Sequence, residues 1–258
     1  MVSSEQRRRQ LAREKFERQQ QRREEARRKA RRRNTVIAAA LAVVVAAGGA
    51  AFAAGAFSGD SKKKPDAASD SPSARPSQSA EPKMAIEAKG TYDMALKTNA
   101  GEIRFAMDAA KTPHTVNSFK YLADKGFFNN TKCHRLTTQG IYVLQCGDPQ
   151  GTGSGGPGYT IPDENLTGLG KAGADGTVTY PAGTVAMANT GQAHTGGSQF
   201  FLVYKDSKLP PTYTPFGTID AAGLKAVQDV AKEGVEGGAG DGAPKKAVTI
   251  QTAAVTKE

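Results

Sequence analysis

A long run of uncharged residues divides this chain and is the sequence feature that most constrains its organisation. Residues 36–57, VIAAALAVVVAAGGAAFAAGAF, are 22 consecutive residues without a charged side chain. A helix of that length is long enough to span a hydrocarbon core of about 30 Å. The run therefore predicts a transmembrane helix over residues 35–57. A cleaved signal peptide is the alternative that stays open, because Ala51-Phe52-Ala53 resembles a cleavage site.

The basic residues of the chain are concentrated before that run. The formal net charge is +10, and residues 1–34 hold 14 Lys and Arg against 5 Asp and Glu, which leaves +1 for the other 224 residues. Glu14 and Arg18, like Glu24 and Arg28, have the i,i+4 spacing of a solvated helix. We expect a basic, helical, cytoplasmic arm at residues 1–34, with the chain beyond the membrane helix outside the cell membrane.

The charge distribution also bears on partners. A folded part with a net charge near zero lacks the basic surface of a nucleic-acid-binding domain, so we expect no nucleic acid there. Binding of the arm to anionic lipid or to RNA stays open as an alternative to simple anchoring.

Composition changes again after the uncharged run. Residues 58–89 are rich in Ser, Pro, Lys, Asp and Ala, and large apolar side chains are few. Such a segment cannot bury enough surface to offset the entropy lost on ordering. We expect a disordered linker over residues 58–89 and a folded domain over residues 90–258.

The last 168 residues carry mostly strand patterns. Apolar and polar residues alternate on both sides of a turn at 99–101, which predicts a β-hairpin. Thr112 and Pro113 fit the N-cap and first position of a helix that ends before Gly126, and a second helix is expected near 221–232. Many strands and few helices predict a mainly β barrel or sandwich. Further strands are expected at 141–145, 184–188, 199–204 and 247–255.

Several separated motifs occur in this part of the chain in a fixed order. They are CHRL at 133–136, IYVLQCGDP at 141–149, GTGSGGPGY at 151–159, MAN at 187–189, GGSQFF at 196–201 and PFG at 215–217. Together they resemble the signatures of the cyclophilins over about residues 91–257. The resemblance is closest to the membrane-anchored cyclophilins of Gram-positive actinobacteria.

The resemblance implies a fold and a set of site residues. The fold is a closed eight-stranded β-barrel capped by two α-helices, and the activity is peptidyl-prolyl cis-trans isomerisation in protein folding without a cofactor or a metal. Arg135 matches the catalytic arginine of the family. The matching substrate-binding positions are Tyr142, Val143, Gln145, Gly153, Ala188, Asn189, Gln199, Phe201, Leu209 and Tyr213.

The chemistry of an arginine at such a site follows from the peptide bond. Rotation about an X–Pro bond is opposed by amide resonance, with a barrier of roughly 18–20 kcal/mol. In the twisted transition state the prolyl nitrogen regains a lone pair and can accept a hydrogen bond. A guanidinium is always charged and carries several donors, so a fixed arginine can supply that bond in the transition state alone.

The sequence departs from the family pattern at the edges of the expected groove. Two extra residues lie between Arg135 and Gln145, and one lies within 192–194. Lys208 occupies a position where many relatives have Trp, and the chain has no Trp. In the family that Trp is associated with cyclosporin binding, so we expect weak cyclosporin binding. A non-catalytic proline-peptide-binding or holdase module is the alternative to an isomerase acting on proline-containing polypeptides.

Strand alternation argues against a disulfide between Cys133 and Cys146. If Arg135 and Gln145 share the groove face, Cys133 lies on that face and Cys146 on the opposite one. A bulge would reverse this relation, so the bond stays open at this stage.

Overall fold

The structure, a computed structural model, describes residues 79–258. The predicted basic arm, the predicted transmembrane helix and the linker up to residue 78 lie outside the described residues. Within residues 79–258, no helix is both long and apolar enough to cross a membrane.

The described residues are mainly β, with two helices, and this part of the expectation is confirmed. Helix α1 spans Pro113–Asp124 and helix α2 spans Ala221–Glu233. The strands are β1 (Thr91–Thr98), β2 (Gly101–Asp108), β3 (Thr131–Cys133), β4 (Arg135–Thr137), β5 (Val143–Cys146), β6 (Val178–Tyr180), β7 (Thr184–Met187), β8 (Phe200–Val203), β9 (Ser207–Leu209), β10 (Pro215–Ile219), β11 (Asp241–Gly242) and β12 (Val248–Lys257).

Ten of these strands form one curled sheet in the order β11-β4-β5-β8-β7-β10-β2-β1-β12-β3, and β6 pairs with β9 separately. The strand count differs from the predicted eight because residues 131–137 are divided into β3 and β4, and because the two-residue β11 joins the edge. β3 lies at one end of the order and β4 lies next to the other end, yet only His134 separates them in the chain. The two ends of the sheet therefore meet at residues 131–137.

The predicted hairpin and its alternation are present. β1 and β2 pair in register from Thr91 opposite Asp108 to Thr98 opposite Gly101. The alternating apolar side chains of both strands face the core and are almost completely buried, namely Tyr92, Met94, Leu96, Ile103, Phe105 and Met107. Period-two alternation is thus what places this hairpin with one face on the core.

Helix α1 begins at Pro113, as expected, but its N-cap differs from the prediction. The Thr112 side chain donates to the Asp108 carbonyl instead of capping the helix. The free N–H groups of the first turn are satisfied by the Glu164 carboxylate, which accepts from the His114 and Thr115 backbone. A residue fifty positions away therefore supplies the cap, and a carboxylate is well suited to the positive end of a helix.

Residues 79–89, the last part of the predicted linker, contact the folded domain. The Ser79 N–H donates to the Gly158 carbonyl over 2.9 Å. The Asn117 side chain on α1 accepts from the Ala85 N–H and donates to the Pro82 carbonyl. These bonds fasten the chain to the domain before β1 begins.

The sheet has an inner and an outer apolar face. The inner face encloses the main core, where Phe119 on α1 packs against Phe128, Phe200 and Phe216. The outer face carries a second apolar cluster that includes Val143, Tyr180, Phe201, Val203 and Leu209. Neighbouring residues of one strand divide between the two clusters because side chains alternate, and the outer cluster is what supports the site described below.

Cys133 and Cys146 are joined by a disulfide, which the alternation argument had disfavoured. Both cysteines are buried, whereas Arg135 is half-exposed. The alternation from Cys133 to Arg135 fails because His134 belongs to neither β3 nor β4 and interrupts the strand. This interruption turns Cys133 into the core, next to Cys146.

Candidate active site

A small pocket of about 140 Å³ lies on the outer face of the sheet. Its walls come from β4, β5, β8 and β9 and from the segment that follows β7. The lining residues are Arg135, Ile141, Val143, Gln145, Ala188, Asn189, Phe201, Leu209 and Tyr213. An apolar floor with a charged residue and two amides at its rim is the arrangement of a pocket that holds an apolar group and orients what is attached to it.

The floor of this pocket is held by aromatic packing. The rings of Phe201 and Tyr213 meet edge to face with centroids 5.5 Å apart, and the Tyr180 ring also packs against Phe201, with centroids 6.3 Å apart. The Tyr180 hydroxyl donates to the Tyr213 carbonyl over 2.8 Å, and burial raises the pKa of Tyr180 to about 12. Tyr180 therefore stays a hydrogen-bond donor and fixes the backbone that carries Tyr213.

Arg135 projects from β4 with its guanidinium held on two sides. Its Nε and Nη2 donate to the two carboxylate oxygens of Asp241, each over 2.8 Å, and its Nη1 donates to Oε1 of Gln145 over 3.3 Å. Hydrogen bonding to Asp241 raises the pKa of Arg135, and the same bond lowers the pKa of Asp241. The pair is thus charged on both sides at neutral pH, and the side chain of Arg135 is still 40% exposed.

A larger pocket of about 710 Å³ adjoins the small one and shares Gln145, Ala188 and Asn189 with it. Its wall is mostly the glycine-rich loop 150–160. Gln145 and Gln199 connect the two pockets. The Gln145 amide donates to Oε1 of Gln199 over 2.9 Å, and the Gln199 amide donates to the Gly155 carbonyl over 2.8 Å.

The glycine-rich loop is organised by one buried carboxylate, that of Asp148. It accepts hydrogen bonds from the backbone N–H groups of Gln150, Thr152, Gly153 and Gly155. Burial alone would raise the pKa of Asp148, but these donors outweigh it and lower the pKa to about 2. The loop therefore wraps around a permanent negative charge.

Gly155 is required at its position by that same carboxylate. A Cβ built at Gly155 would collide with Oδ1 of Asp148. The glycine lets the backbone approach closely enough for its N–H to reach the carboxylate, and its carbonyl then accepts from Gln199.

Asn189 is held at the mouth of the small pocket. Its side-chain amide donates to the Thr212 carbonyl over 2.8 Å, and its side-chain oxygen accepts from the Gly191 N–H. These two bonds fix the orientation of the side-chain amide, and Asn189 lines both pockets.

The structure brings together most of the residues predicted from the sequence. Arg135 and seven of the ten predicted substrate-binding residues line the small pocket, namely Val143, Gln145, Ala188, Asn189, Phe201, Leu209 and Tyr213. Gly153 and Gln199 line the larger pocket.

Tyr142 is not brought into either pocket. Its ring lies against Tyr204 and below the Lys205 ammonium, which is 4.4 Å from the ring centroid. Ile141 lines the small pocket instead, together with Val143 and Gln145. The reason is alternation, since residues 141, 143 and 145 share a face that residue 142 does not.

Two acidic residues of the site were not predicted. Asp148 follows the strand that carries Gln145 and precedes five glycines in residues 151–158, a pattern that indicates a carboxylate at the base of a loop. Asp241 lies 106 residues beyond Arg135. Nothing in the sequence near Asp241 indicates that it pairs with Arg135, because the pairing of β11 with β4 is a tertiary contact.

His134 precedes Arg135 in the chain, and its ring is close to Gly153 of the glycine-rich loop. Neither ring nitrogen has a hydrogen-bond partner, and the ring is the nearest group to a Cβ built at Gly153. Burial lowers the pKa of His134, so the ring is neutral at pH 7. Among residues 79–258 there is no group of three or more His, Cys, Asp or Glu side chains that could hold a metal ion.

Comparisons with known proteins agree with this geometry. The family profile described as cyclophilin type peptidyl-prolyl cis-trans isomerase/CLD matches residues 93–255. The chain is 51% identical over 166 residues to a probable peptidyl-prolyl cis-trans isomerase B of Mycobacterium leprae, covering 63% of this chain and 56% of that protein. It is 52% identical over 161 residues to the protein of that name from Mycobacterium tuberculosis H37Rv, covering 61% and 52%. The chain thus spans about half the length of these two relatives.

A solved structure is also similar. It is the crystal structure of a cyclophilin type peptidyl-prolyl cis-trans isomerase from Cryptosporidium parvum in the presence of the dipeptide Ala-Pro. The similarity has a TM-score of 0.51 at 25% sequence identity and covers 64% of this chain and 99% of that one.

Proposed function

The chain belongs to the cyclophilin-type peptidyl-prolyl cis-trans isomerases, and from that membership we propose that it catalyses rotation about X–Pro bonds with Arg135 as the catalytic residue. The observation that carries the proposal is a fixed guanidinium at the rim of an apolar pocket. Arg135 is charged at neutral pH, and its guanidinium donates hydrogen bonds to Asp241 and Gln145.

The mechanism follows from what changes during rotation. As the X–Pro bond twists, conjugation is lost and the prolyl nitrogen becomes a hydrogen-bond acceptor. A donor from Arg135 stabilises that state and has no equivalent acceptor in the planar amide, so the barrier falls without tighter binding of the ground state. No covalent bond forms, and the amide returns to planarity as the other isomer.

The remaining residues of the pocket hold the substrate while one side of the bond rotates. Val143, Phe201 and Leu209 offer the apolar surface that a proline ring needs. Asn189 and Gln145, at the boundary of the two pockets, are placed to hold the backbone that flanks the proline. The larger pocket then takes the residues next to the proline. This division keeps the ring fixed, so that rotation occurs at the bond beside Arg135.

A prolyl isomerisation assay with the full-length chain tests the proposal. We expect Arg135→Ala to lower kcat/KM by about 100-fold or more, as loss of a transition-state donor does. Arg135→Lys serves as a matched variant that keeps the charge and loses the fork of donors, and we expect it to recover only part of the rate. Equal rates for the wild type and Arg135→Ala, with proline-peptide binding retained, would instead support a non-catalytic binding or holdase module.

We propose that the domain works outside the cell membrane, where it assists folding of exported proteins. Three features support this location: the uncharged run at residues 36–57, the basic arm before it, and the Cys133–Cys146 disulfide, a bond that persists in oxidising compartments. Membrane fractionation with protease added to intact cells tests it. Protection of the domain from external protease would contradict the proposal.

We also propose weak inhibition by cyclosporin. Lys208 stands on β9 next to Leu209 of the pocket, where its ammonium pairs with Asp175 and its side chain is exposed. A flexible charged side chain there offers no flat apolar surface to an apolar cyclic ligand. We expect Lys208→Trp to be inhibited at lower cyclosporin concentrations than the wild type, and equal inhibition of the two would contradict the proposal.

A further inference from the structure

The ion pair between Arg135 and Asp241 joins two strands that are far apart in the chain. Asp241 and Gly242 form β11, which pairs with β4 in the register Asp241 opposite Thr137 and Gly242 opposite Leu136. Arg135 is therefore the diagonal neighbour of Asp241 on the same face, a separation that long side chains bridge. Both carboxylate oxygens are used, so the contact is a bidentate pair with a defined plane.

The hydrogen bonds of Arg135 show which donors remain. A guanidinium has five N–H groups. Two are donated to Asp241 and one to Gln145, which leaves one on Nη1 and one on Nη2 for a substrate. Because Asp241 holds the edge formed by Nε and Nη2, the plane and rotation of the guanidinium are set, and with them the positions of the two remaining donors.

We propose that Asp241 is a positioning residue for isomerisation, holding the guanidinium of Arg135 so that its free donors point to where the prolyl nitrogen becomes an acceptor. This inference rests on the proposed isomerase function. Asp241 itself does not contact the pocket in the structure, since it is absent from the residues that line the pocket within 79–258.

Stability is not a sufficient reason for the pair. The side chains of Arg135 and Asp241 are 40% and 56% exposed, and exposed ion pairs contribute little to folding. Position is a stronger reason, because an arginine without a partner samples many rotamers and must be ordered each time it donates to a transition state. A pre-ordered guanidinium avoids that loss.

The kinetic test uses the full-length chain and the variants Asp241→Ala, Asp241→Asn and Asp241→Glu. We expect Asp241→Ala to lower kcat about tenfold with little change in KM or in melting temperature, because the misplaced donor affects the transition state. Asp241→Asn keeps one oxygen acceptor and Asp241→Glu keeps two. We therefore expect Asp241→Asn to recover part of the kcat that Asp241→Ala loses, and Asp241→Glu to recover more of it. Glu102→Ala is the matched control, since it removes another exposed carboxylate–guanidinium pair, with Arg104, on a different strand.

The Arg135→Ala background decides how Asp241 acts. If Asp241 works through Arg135, then Asp241→Ala has no further effect on the residual rate of Arg135→Ala. An equal loss in both backgrounds, or a wild-type rate in Asp241→Ala, would overturn the proposal. A loss of the same size in Glu102→Ala would also overturn it, because the effect would then not be specific to Arg135.

A spectroscopic measurement tests the positioning without activity. In NMR spectra of the arginine side chains, we expect the Nη groups of Arg135 to give separate, slowly exchanging signals in the wild type and averaged signals in Asp241→Ala. Averaged signals in both proteins would refute the positioning role even if the protein is an active isomerase. Separate signals in the wild type alone, in a protein without isomerase activity, would support the positioning and refute the proposed function.

Discussion

The two pockets of the groove are built in different ways. The small pocket consists of side chains on paired strands, and its shape follows from the alternation of β5 and β8. The larger pocket has a wall of loop backbone, and that loop is held by the carboxylate of Asp148. A substitution among the side chains that line the small pocket should change the catalytic rate and leave the fold intact. Loss of the Asp148 carboxylate should instead change the fold of the loop at the larger pocket. Gln145 and Gln199 connect the two.

The largest effect is expected for Asp148→Ala. Four backbone N–H groups lose their acceptor at once, so we expect the free energy of unfolding of the full-length chain to fall by about 3 kcal/mol or more. Denaturation in urea measures it. Asp175→Ala is the matched control. The pKa of Asp175 is also lowered to about 2, but its side chain is exposed, and we expect no measurable change there. Similar losses for both variants would show that burial of Asp148 is not what matters.

A smaller effect is expected from loss of the Cys133–Cys146 disulfide, which lies on the strands next to the small pocket. It joins the end of β3 to β5 across a sequence separation of 13 residues, close to Arg135 and Gln145. Replacing both cysteines by alanine should lower the free energy of unfolding by about 2–3 kcal/mol, the range for short loops. A reducing agent should lower the melting temperature of the wild type and leave that of the double variant unchanged. An unchanged wild type would mean that the bond does not contribute.

Lowering the pH should destabilise the protein through the Asp148 carboxylate, which holds the loop of the larger pocket. The folded-state pKa of Asp148 is about 2, below the ordinary value of 3.8. Its stabilisation is therefore complete above about pH 3.8 and is lost as the pH falls through about 2. From the difference in pKa we expect a loss of about 2 kcal/mol in the wild type across that range. Asp148→Ala should lack this pH-dependent loss. Parallel plots of unfolding free energy against pH for the wild type and Asp148→Ala would contradict the prediction.

The smallest effect is expected for the link between the pockets. Gln199→Ala removes the bond from Gln145 and the bond to Gly155 while keeping Arg135 and the apolar floor. We expect kcat/KM to fall about fivefold, with most of the change in KM, since substrate contacts are lost and the transition-state donor stays. Gln145→Ala and the double variant should be less than additive. Strict additivity would show that the two amides act independently.

Local patterns predicted the parts of the fold that depend on neighbouring residues. They predicted the β1–β2 hairpin, the start of helix α1 at Pro113, and helix α2. Strand alternation and helix-end signals depend only on residues a few positions apart, so the sequence shows them directly. The cap of α1 was not, since Glu164 reaches it from another part of the chain. Tyr142 was predicted to bind substrate from its place in the family motif, whereas the structure places its ring against Tyr204 and lines the small pocket with Ile141.

The sequence was sufficient to predict the arginine, the apolar floor and the amides of the candidate site, because each belongs to one of the short motifs by which the chain resembles its family. The disulfide, Asp241 and the role of Asp148 required the folded chain. An interruption at His134 reversed the face of Cys133, the pairing of β11 with β4 brought Asp241 to Arg135, and loop closure gathered four N–H groups around one carboxylate. Each of these depends on contacts between residues that local patterns treat as independent, and such contacts form only when the sheet curls and its ends meet.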